Sequence, residues 1–245
     1  MYITFLGVGD AFSIEQRHTS ALINFNDFST NLCIDFPATN RYSLRDIGKD
    51  LGNIKNIFIT HLHEDHVNGI QQLAYFNEIT KSAKPSLFIP EKLENGLRDI
   101  LKEGLYKTSY GEKKLEDYFD VNIVKDHFIL NNKKFKIIQT NHVPNMFSYG
   151  LLGENFYYSG DSNIDVDFIN SIKDKVDYIF HDCHLWDLEI KSHASLEDIK
   201  KLDSDIMNKI YLMHYHDGYS DESIKRNFEK RENIKLVRQL KIYRL

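Results

Sequence analysis

Residues 60–69, T-H-L-H-E-D-H-V-N-G, constrain this chain more than any other stretch. The preceding NIFIT, residues 56–60, reads as a buried strand that runs straight into them. His61 and His63 alternate with Leu62, so a strand period sends both rings to one side. Asp65 and His66 then fall on the turn into a helix, where a second set of donors can point the same way. Three histidines and two acids within six positions are costly in a core and unnecessary on a surface. Imidazole and carboxylate are the ligand types that suit zinc and similar divalent ions. Whatever fold forms must gather these side chains around a cation.

The rest of the chain has to supply the scaffold. At 245 residues it can build one large core, and with 4 Pro and no low-complexity stretch, residues 1–245 read as a single domain. Short apolar runs bounded by Gly, Asn, Asp or Pro predict strands at 2–6, 20–25, 31–36, 86–89, 120–125, 128–130, 134–140, 147–152, 156–159, 178–181 and 209–213. Helical spacing predicts helices at 43–51 behind a Ser43 cap, 66–78, 91–103, 166–172 and 195–202. Residues 105–119 show no clear period. The pattern is α/β, two packed sheets with helices outside.

Bulk properties narrow the function. No apolar run approaches the roughly 18 residues that span a bilayer, and the N-terminus lacks a basic region and a cleavage site. Cys33 and Cys183 are too few for a disulfide framework and suit a reducing cytoplasm. A net charge of −5 does not favour large nucleic acids. The basic residues near the C-terminus (Lys225, Arg226, Lys230, Arg231, Lys235, Arg238, Lys241 and Arg244) read as a solvated helix face followed by a last strand.

The 60–69 cluster resembles the H-x-H-x-D-H signature of the metallo-β-lactamase superfamily, and the likeness runs in order through nearly the whole chain. It implies a four-layer αββα sandwich and further ligands. Candidates are His142 in QTNHVPN, Asp161 in YYSGDS and His214 in IYLMHYH, with His216 competing for the last place. The superfamily scheme gives one ion to His61, His63 and His142, the other to Asp65, His66 and His214, with Asp161 bridging. Such ions hold a hydroxide between them at a pKa lowered from about 15.7 toward ~7, which Asp65 could orient or deprotonate. Zinc heads the candidate metals; manganese and cobalt suit the same donors. Glu replaces His63 in the flavodiiron branch, and zinc β-lactamases mostly lack the bridging aspartate.

A second signature, H-D-C-H-L-W followed by K-S-H-A-S-L-E-D, is similar to the ribonuclease Z branch. There the later histidine sits beside the scissile phosphate, oriented by the earlier acid; the matching residues are His193 and Asp182. A helix-capping neighbourhood around Ser195 is the structural alternative for His193, and Cys183 and His184 are read as structural. The opening L-G-V-G-D-A-F-S also resembles this branch. Between His142 and Asp161, however, one hairpin (147–159) leaves no room for a tRNA-gripping arm, and SIEQR (13–17) replaces the branch's proline-containing loop.

The arm-free layout resembles the phage-type anti-Pycsar cyclic-nucleotide phosphodiesterases. That resemblance implies hydrolysis of 3′,5′-cyclic mononucleotides (cCMP, cUMP, cAMP, cGMP) to 5′-nucleotides in the host cytoplasm, and a homodimer with a lid from the partner subunit. Residues 106–110 (YKTSY) are the candidate lid, Tyr106 or Tyr110 stacking on a base, with ordinary surface or dimer packing as the alternative. The rivals are a tRNA 3′-processing endonuclease, a glyoxalase II-type thioester hydrolase, which would not need the KSHAS element, and a non-catalytic metal-stabilised module, which would not need a water-activating bridge.

Overall fold

The computed structural model describes residues 1–26 and 30–245. In chain order its strands are β1 (Tyr2–Gly7), β2 (Ser20–Asn24), β3 (Asn31–Ile34), β4 (Asn56–Phe58), β5 (Ser86–Pro90), β6 (Lys107–Thr108), β7 (Gly111–Glu112) and β8 (Asp120–Val124). Then come β9 (His127–Leu130), β10 (Lys133–Thr140), β11 (Ser148–Leu152), β12 (Phe156–Tyr158), β13 (Tyr178–Asp182), β14 (Ile210–Met213), β15 (Lys235–Leu236) and β16 (Ile242–Arg244). They build two seven-stranded sheets, ordered β16-β1-β2-β3-β4-β5-β8 and β15-β14-β13-β12-β11-β10-β9, while β6 and β7 make a small hairpin of their own.

The two sheets repeat one plan. From β16 to β3 neighbours are antiparallel, and from β3 to β8 they are parallel. Likewise β9 to β12 run antiparallel and β12 to β15 parallel. Strands β3 and β4 are buried along their whole length, as expected of parallel strands covered on both faces. Aromatic side chains hold the sheets together: Phe5 meets Phe180 at 4.9 Å, Phe58 meets Phe128 at 5.8 Å and Phe25 meets Phe135 at 6.2 Å between ring centroids. Each buried phenylalanine contributes about 1.5–3 kcal/mol.

Parallel strands in a covered sheet leave a crevice outside their carboxyl ends, where α/β proteins bind ligands. Asp35 follows β3, residues 61–66 follow β4, Asp161 follows β12, Asp182 ends β13 and His214 follows β14. The packing of the two sheets brings these ends together.

Several local expectations shift. The strand predicted over 56–60 stops at Phe58, because Thr60 N donates to the Asp35 carboxylate and Thr60 O accepts from Tyr149 N of the other sheet. The helix predicted over 43–51 is α1 (Asn40–Asp46); Ser43 is no cap, since its buried hydroxyl donates to Leu6 O at 2.5 Å. The helix predicted over 66–78 divides into α2 (Glu64–Val67) and α3 (Ile70–Thr80). Gly69 at the break donates to Phe36 O at 2.9 Å, and a Cβ there would meet that oxygen at 2.6 Å.

The C-terminal basic residues are not one solvated face. Lys225 is buried, its ammonium 5.9 Å from the Tyr215 ring centroid, and Arg238 is clamped by Glu229 and Glu222. Among the described residues no helix is long and apolar enough to cross a membrane.

Candidate metal centre

Two groups of side chains converge in the crevice, sharing Asp161: His61, His63, His142 and Asp161, and Asp65, His66, Asp161 and His214. Within each, the donor atoms lie within 4.8 Å of one another. The rings are aligned by hydrogen bonds, since β4 has ended before His61 and its pleat cannot do it. His66 Nδ1 meets Asp35 Oδ2 at 2.7 Å. Thr60 Oγ1 donates to the same oxygen at 2.7 Å, so it accepts from His61 Nδ1, 3.0 Å away. His142 Nδ1 donates to Ser192 O at 2.8 Å. A committed Nδ1–H makes Nε2 the atom that His61, His66 and His142 turn toward the cluster, the usual way a second partner sets the orientation of a histidine ligand.

Those Nε2 atoms meet further donors of the two groups. His61 Nε2 and His142 Nε2 lie 3.1 and 3.0 Å from His63 Nδ1, and 3.6 and 4.0 Å from Asp161 Oδ2. In the second group, His66 Nε2 is 3.4 Å from Asp65 Oδ2 and 3.3 Å from Asp161 Oδ2; His214 Nε2 is 3.6 and 3.3 Å from the same atoms. Ligands about 2.0–2.1 Å from a tetrahedral ion sit about 3.3 Å apart. Both groups scatter around that edge length. Asp65 Oδ2, His66 Nε2, Asp161 Oδ1 and His214 Nε2 are buried with no hydrogen-bond partner, which costs several kcal/mol in all if nothing satisfies them. The donor set fits divalent metal.

Electrostatics follows the same geometry. Burial drives His61 well below the ordinary histidine range, helped by the charge of His66. Burial also opposes a charge on His214, yet Asp161, Asp65 and Asp182 push its pKa up to about 10. Asp161 is held well below the carboxylate range, burial being outweighed by His214, His66 and His61.

His193 sits at the edge of both groups. Its Nδ1 meets Asp182 Oδ2 at 2.6 Å, and its ring centroid lies 4.8 Å from those of His142 and His214. Burial lowers its pKa, but the Asp182 charge and hydrogen bond win and raise it overall. Asp182 is fixed in turn by Ser162 N at 2.8 Å. Ser195 does cap the helix Leu196–Ile199, so the structural alternative for this segment coexists with the Asp182–His193 contact.

The family model described as "Anti-Pycsar protein Apyc1" matches residues 1–243. The chain belongs to the anti-Pycsar Apyc1 family. It is 33% identical over 237 residues to the Apyc1 protein of Bacillus phage vB_BsuM-Goe3, covering 89% of this chain and 90% of that one. It is 30% identical over 250 residues to that of Paenibacillus xerothermodurans, covering 99% and 97%. Among solved structures it is similar to a diphosphatase of the PhnP family (TM-score 0.76, 19% identity, 100% of this chain and 97% of that one). It is also similar to the metallo-β-lactamase fold protein YhfI of Bacillus subtilis (TM-score 0.74, 11% identity, 99% and 98%). The fold is the αββα metallo-β-lactamase sandwich.

In this Apyc1-family chain the histidine pair after β14 is separated by backbone geometry. His214 takes a left-handed conformation, φ +64°, and turns its ring into the cluster. His216 instead points Nε2 at Leu185 O, 3.1 Å away, and stacks on Trp186 at 4.1 Å. Of the candidate lid, Tyr106 packs against the core at the end of the π-helical turn Lys102–Tyr106, and Tyr110 stands 92% exposed between β6 and β7. Neither belongs to the histidine cluster.

Sequence reasoning missed Asp35, Thr60 and His18. Asp35 follows β3 as Asp161 follows β12, and that acid just after an apolar strand was the available signal. His18 pairs with Gly9 in an isolated bridge; burial lowers its pKa while Asp65 and Glu64 raise it, and its Nδ1 is buried without a partner. Nothing in its local pattern marks it.

Proposed function

We propose that this chain is a two-metal phosphodiesterase that hydrolyses 3′,5′-cyclic mononucleotides to 5′-nucleotides, and that it counters a cyclic-nucleotide defence signal in the cytoplasm. The name carried by its relatives supports the biological role. The observation that carries the chemistry is His193, tied to Asp182 at 2.6 Å and set ring to ring with a residue of each ligand group. A metal-stabilised binding module has no use for such a pair.

His61, His63 and His142 would hold one ion, Asp65, His66 and His214 the other, and Asp161 both, zinc being the metal these donors suit best. When bound, divalent ions supply positive charge for phosphate oxygens and a water of lowered pKa. Asp65 is the carboxylate that can take the proton of the attacking water. Water adds to phosphorus as the bond to the 3′ oxygen breaks, and that oxygen takes a proton from His193. With Nδ1 held by Asp182, the proton it gives is on Nε2, across the ring. The compact β11–β12 hairpin between His142 and Asp161 supports a small substrate over tRNA. We also propose a homodimer in which the β6–β7 hairpin, with Tyr110 at its tip, covers the partner's site.

The test is a panel of 3′,5′-cyclic mononucleotides, cyclic dinucleotides, pre-tRNA and a lactoylglutathione thioester given to the metal-loaded protein. Turnover of the cyclic mononucleotides to 5′-products is expected. His193→Ala should lower kcat by roughly 10²–10⁴-fold with metal content unchanged. A 3′-nucleotide product, or preferential cutting of pre-tRNA, would overturn the assignment.

A further inference from the structure

Strands β13 and β14 run parallel, and their register sets Asp182 opposite Met213, the residue before His214. Cys183 N donates to Met213 O at 3.0 Å, which locks the two strand ends together. The Asp182 carboxylate and the His214 ring leave those ends into the same buried space. Among the described residues of the centre, His61, His66, His142 and His214 turn Nε2 toward other donors. The first three have Nδ1 tied, to Thr60 Oγ1, Asp35 Oδ2 and Ser192 O. His214 is the exception: its Nδ1 is buried with no hydrogen-bond partner.

The Asp182 carboxylate has one oxygen to spare. Oδ2 takes two donors, Ser162 N at 2.8 Å and His193 Nδ1 at 2.6 Å. Oδ1 is buried and takes none. It lies 3.6 Å from His214 Nδ1, and a movement of about 0.6 Å brings that separation to the usual ~3.0 Å of an N–H···O bond. Leaving either atom unsatisfied in the interior is costly, and each is the group that satisfies the other. The donor atoms of Asp182, His193 and His214 all lie within 4.8 Å of one another. The His193 and His214 rings stack at 4.8 Å, 12° from parallel, so one carboxylate reaches both.

We propose that Asp182 is a positioning residue for metal binding: its Oδ1 accepts the Nδ1 proton of His214 and directs Nε2 of that ring to the ion, while Oδ2 holds His193. Asp182 then does for His214 what Asp35 does for His66. The contact itself rests on the metal-centre reading alone. Its consequence, that the histidine of the leaving oxygen is set in register with a metal ligand, rests on the phosphodiesterase reading as well.

Asp182→Asn separates the two duties. Ser162 N can only donate, so the amide oxygen stays on it and on His193, and the NH₂ faces His214 Nδ1. A donor placed there drives the ring proton to Nε2, the atom turned to Asp65 and Asp161. Zinc titration against a chromophoric chelator should show one of two sites weakened by roughly 10–100-fold, with both sites of His193→Ala within about threefold of wild type. NMR of the ring nitrogens in zinc-loaded wild type, which depends on no variant folding, should find His214 protonated on Nδ1, its proton shifted downfield by the carboxylate. Excess zinc should restore part of the turnover lost in Asp182→Asn and none of that lost in His193→Ala. Unchanged zinc affinity in Asp182→Asn, a His214 Nδ1 proton at the position of an unbonded ring N–H, or a further zinc bound among Asp182, His193 and His214 would overturn the assignment. Wild-type protein that gives the zinc and NMR results yet turns over no cyclic mononucleotide would remove the phosphodiesterase reading and leave the Asp182–His214 contact standing.

Discussion

Replacing Asp35 by asparagine tests the logic of the whole centre, because Asp35 holds His66 by Nδ1, the ring atom opposite the one turned to Asp161. Three donors converge on its buried carboxylate: Thr60 N at 2.8 Å on Oδ1, and Thr60 Oγ1 and His66 Nδ1 at 2.7 Å on Oδ2. An amide has one oxygen to offer them. If that oxygen faces Thr60 N, the NH₂ meets His66, whose proton must move to Nε2, the atom turned toward Asp161. If it faces His66, the NH₂ meets Thr60 N–H, and a buried donor without an acceptor costs about 1–3 kcal/mol. Disturbing a ligand's outer partner typically weakens metal binding by roughly 10–100-fold, or about 1.4–2.7 kcal/mol. The loss should fall mainly on the ion held by His66 and spread weakly to His61 through Thr60 Oγ1. Titration with zinc against a chromophoric chelator should show one strong and one weakened site. Two sites within threefold of wild-type affinity would refute the idea that Asp35 sets the His66 tautomer.

Other consequences are as direct. Asp161→Asn should abolish tight binding of both ions, whereas His216→Ala should keep both, read by metal analysis after dialysis; loss of metal in His216→Ala would mean that His214 is not the ligand. In the metal-free protein the raised pKa of His214, about 10 against 6.5, makes its contribution fully present below pH 6.5 and lost as pH rises through 10. The Tm of metal-free protein should therefore fall over that window, and zinc loading at pH 7 should release protons, measurable by calorimetry in buffers of different ionisation enthalpy. Gly69→Ala sets a Cβ 2.6 Å from Phe36 O and 2.7 Å from Pro37 O, both backbone, and should cost about 1–3 kcal/mol of overpacking strain in denaturant melts.

His61, His63, Asp65 and His66 were legible because metal donors packed into six positions are a local pattern that no core or surface requires. His142, Asp161 and His214 were legible through order, each at the end of an apolar run. The helix over 66–78 was misread because its break at Gly69 answers to Phe36 and Pro37, a contact the helical period cannot express. Lys225 was misread for the same reason: charge alone does not reveal that Tyr215 and Gln16 lie over it.

By itself the sequence determined the order of most strands and helices, though not their ends, and which residue types can carry metal chemistry, since both follow from side-chain period and donor identity. Only the tertiary structure decided that Asp35 reaches His66 across 31 positions, that Asp182 holds His193, and that His214 and not His216 turns inward. These are relations between the ends of strands in two different sheets. They exist only once hydrophobic burial has pressed the sheets together, and no spacing along the chain records them.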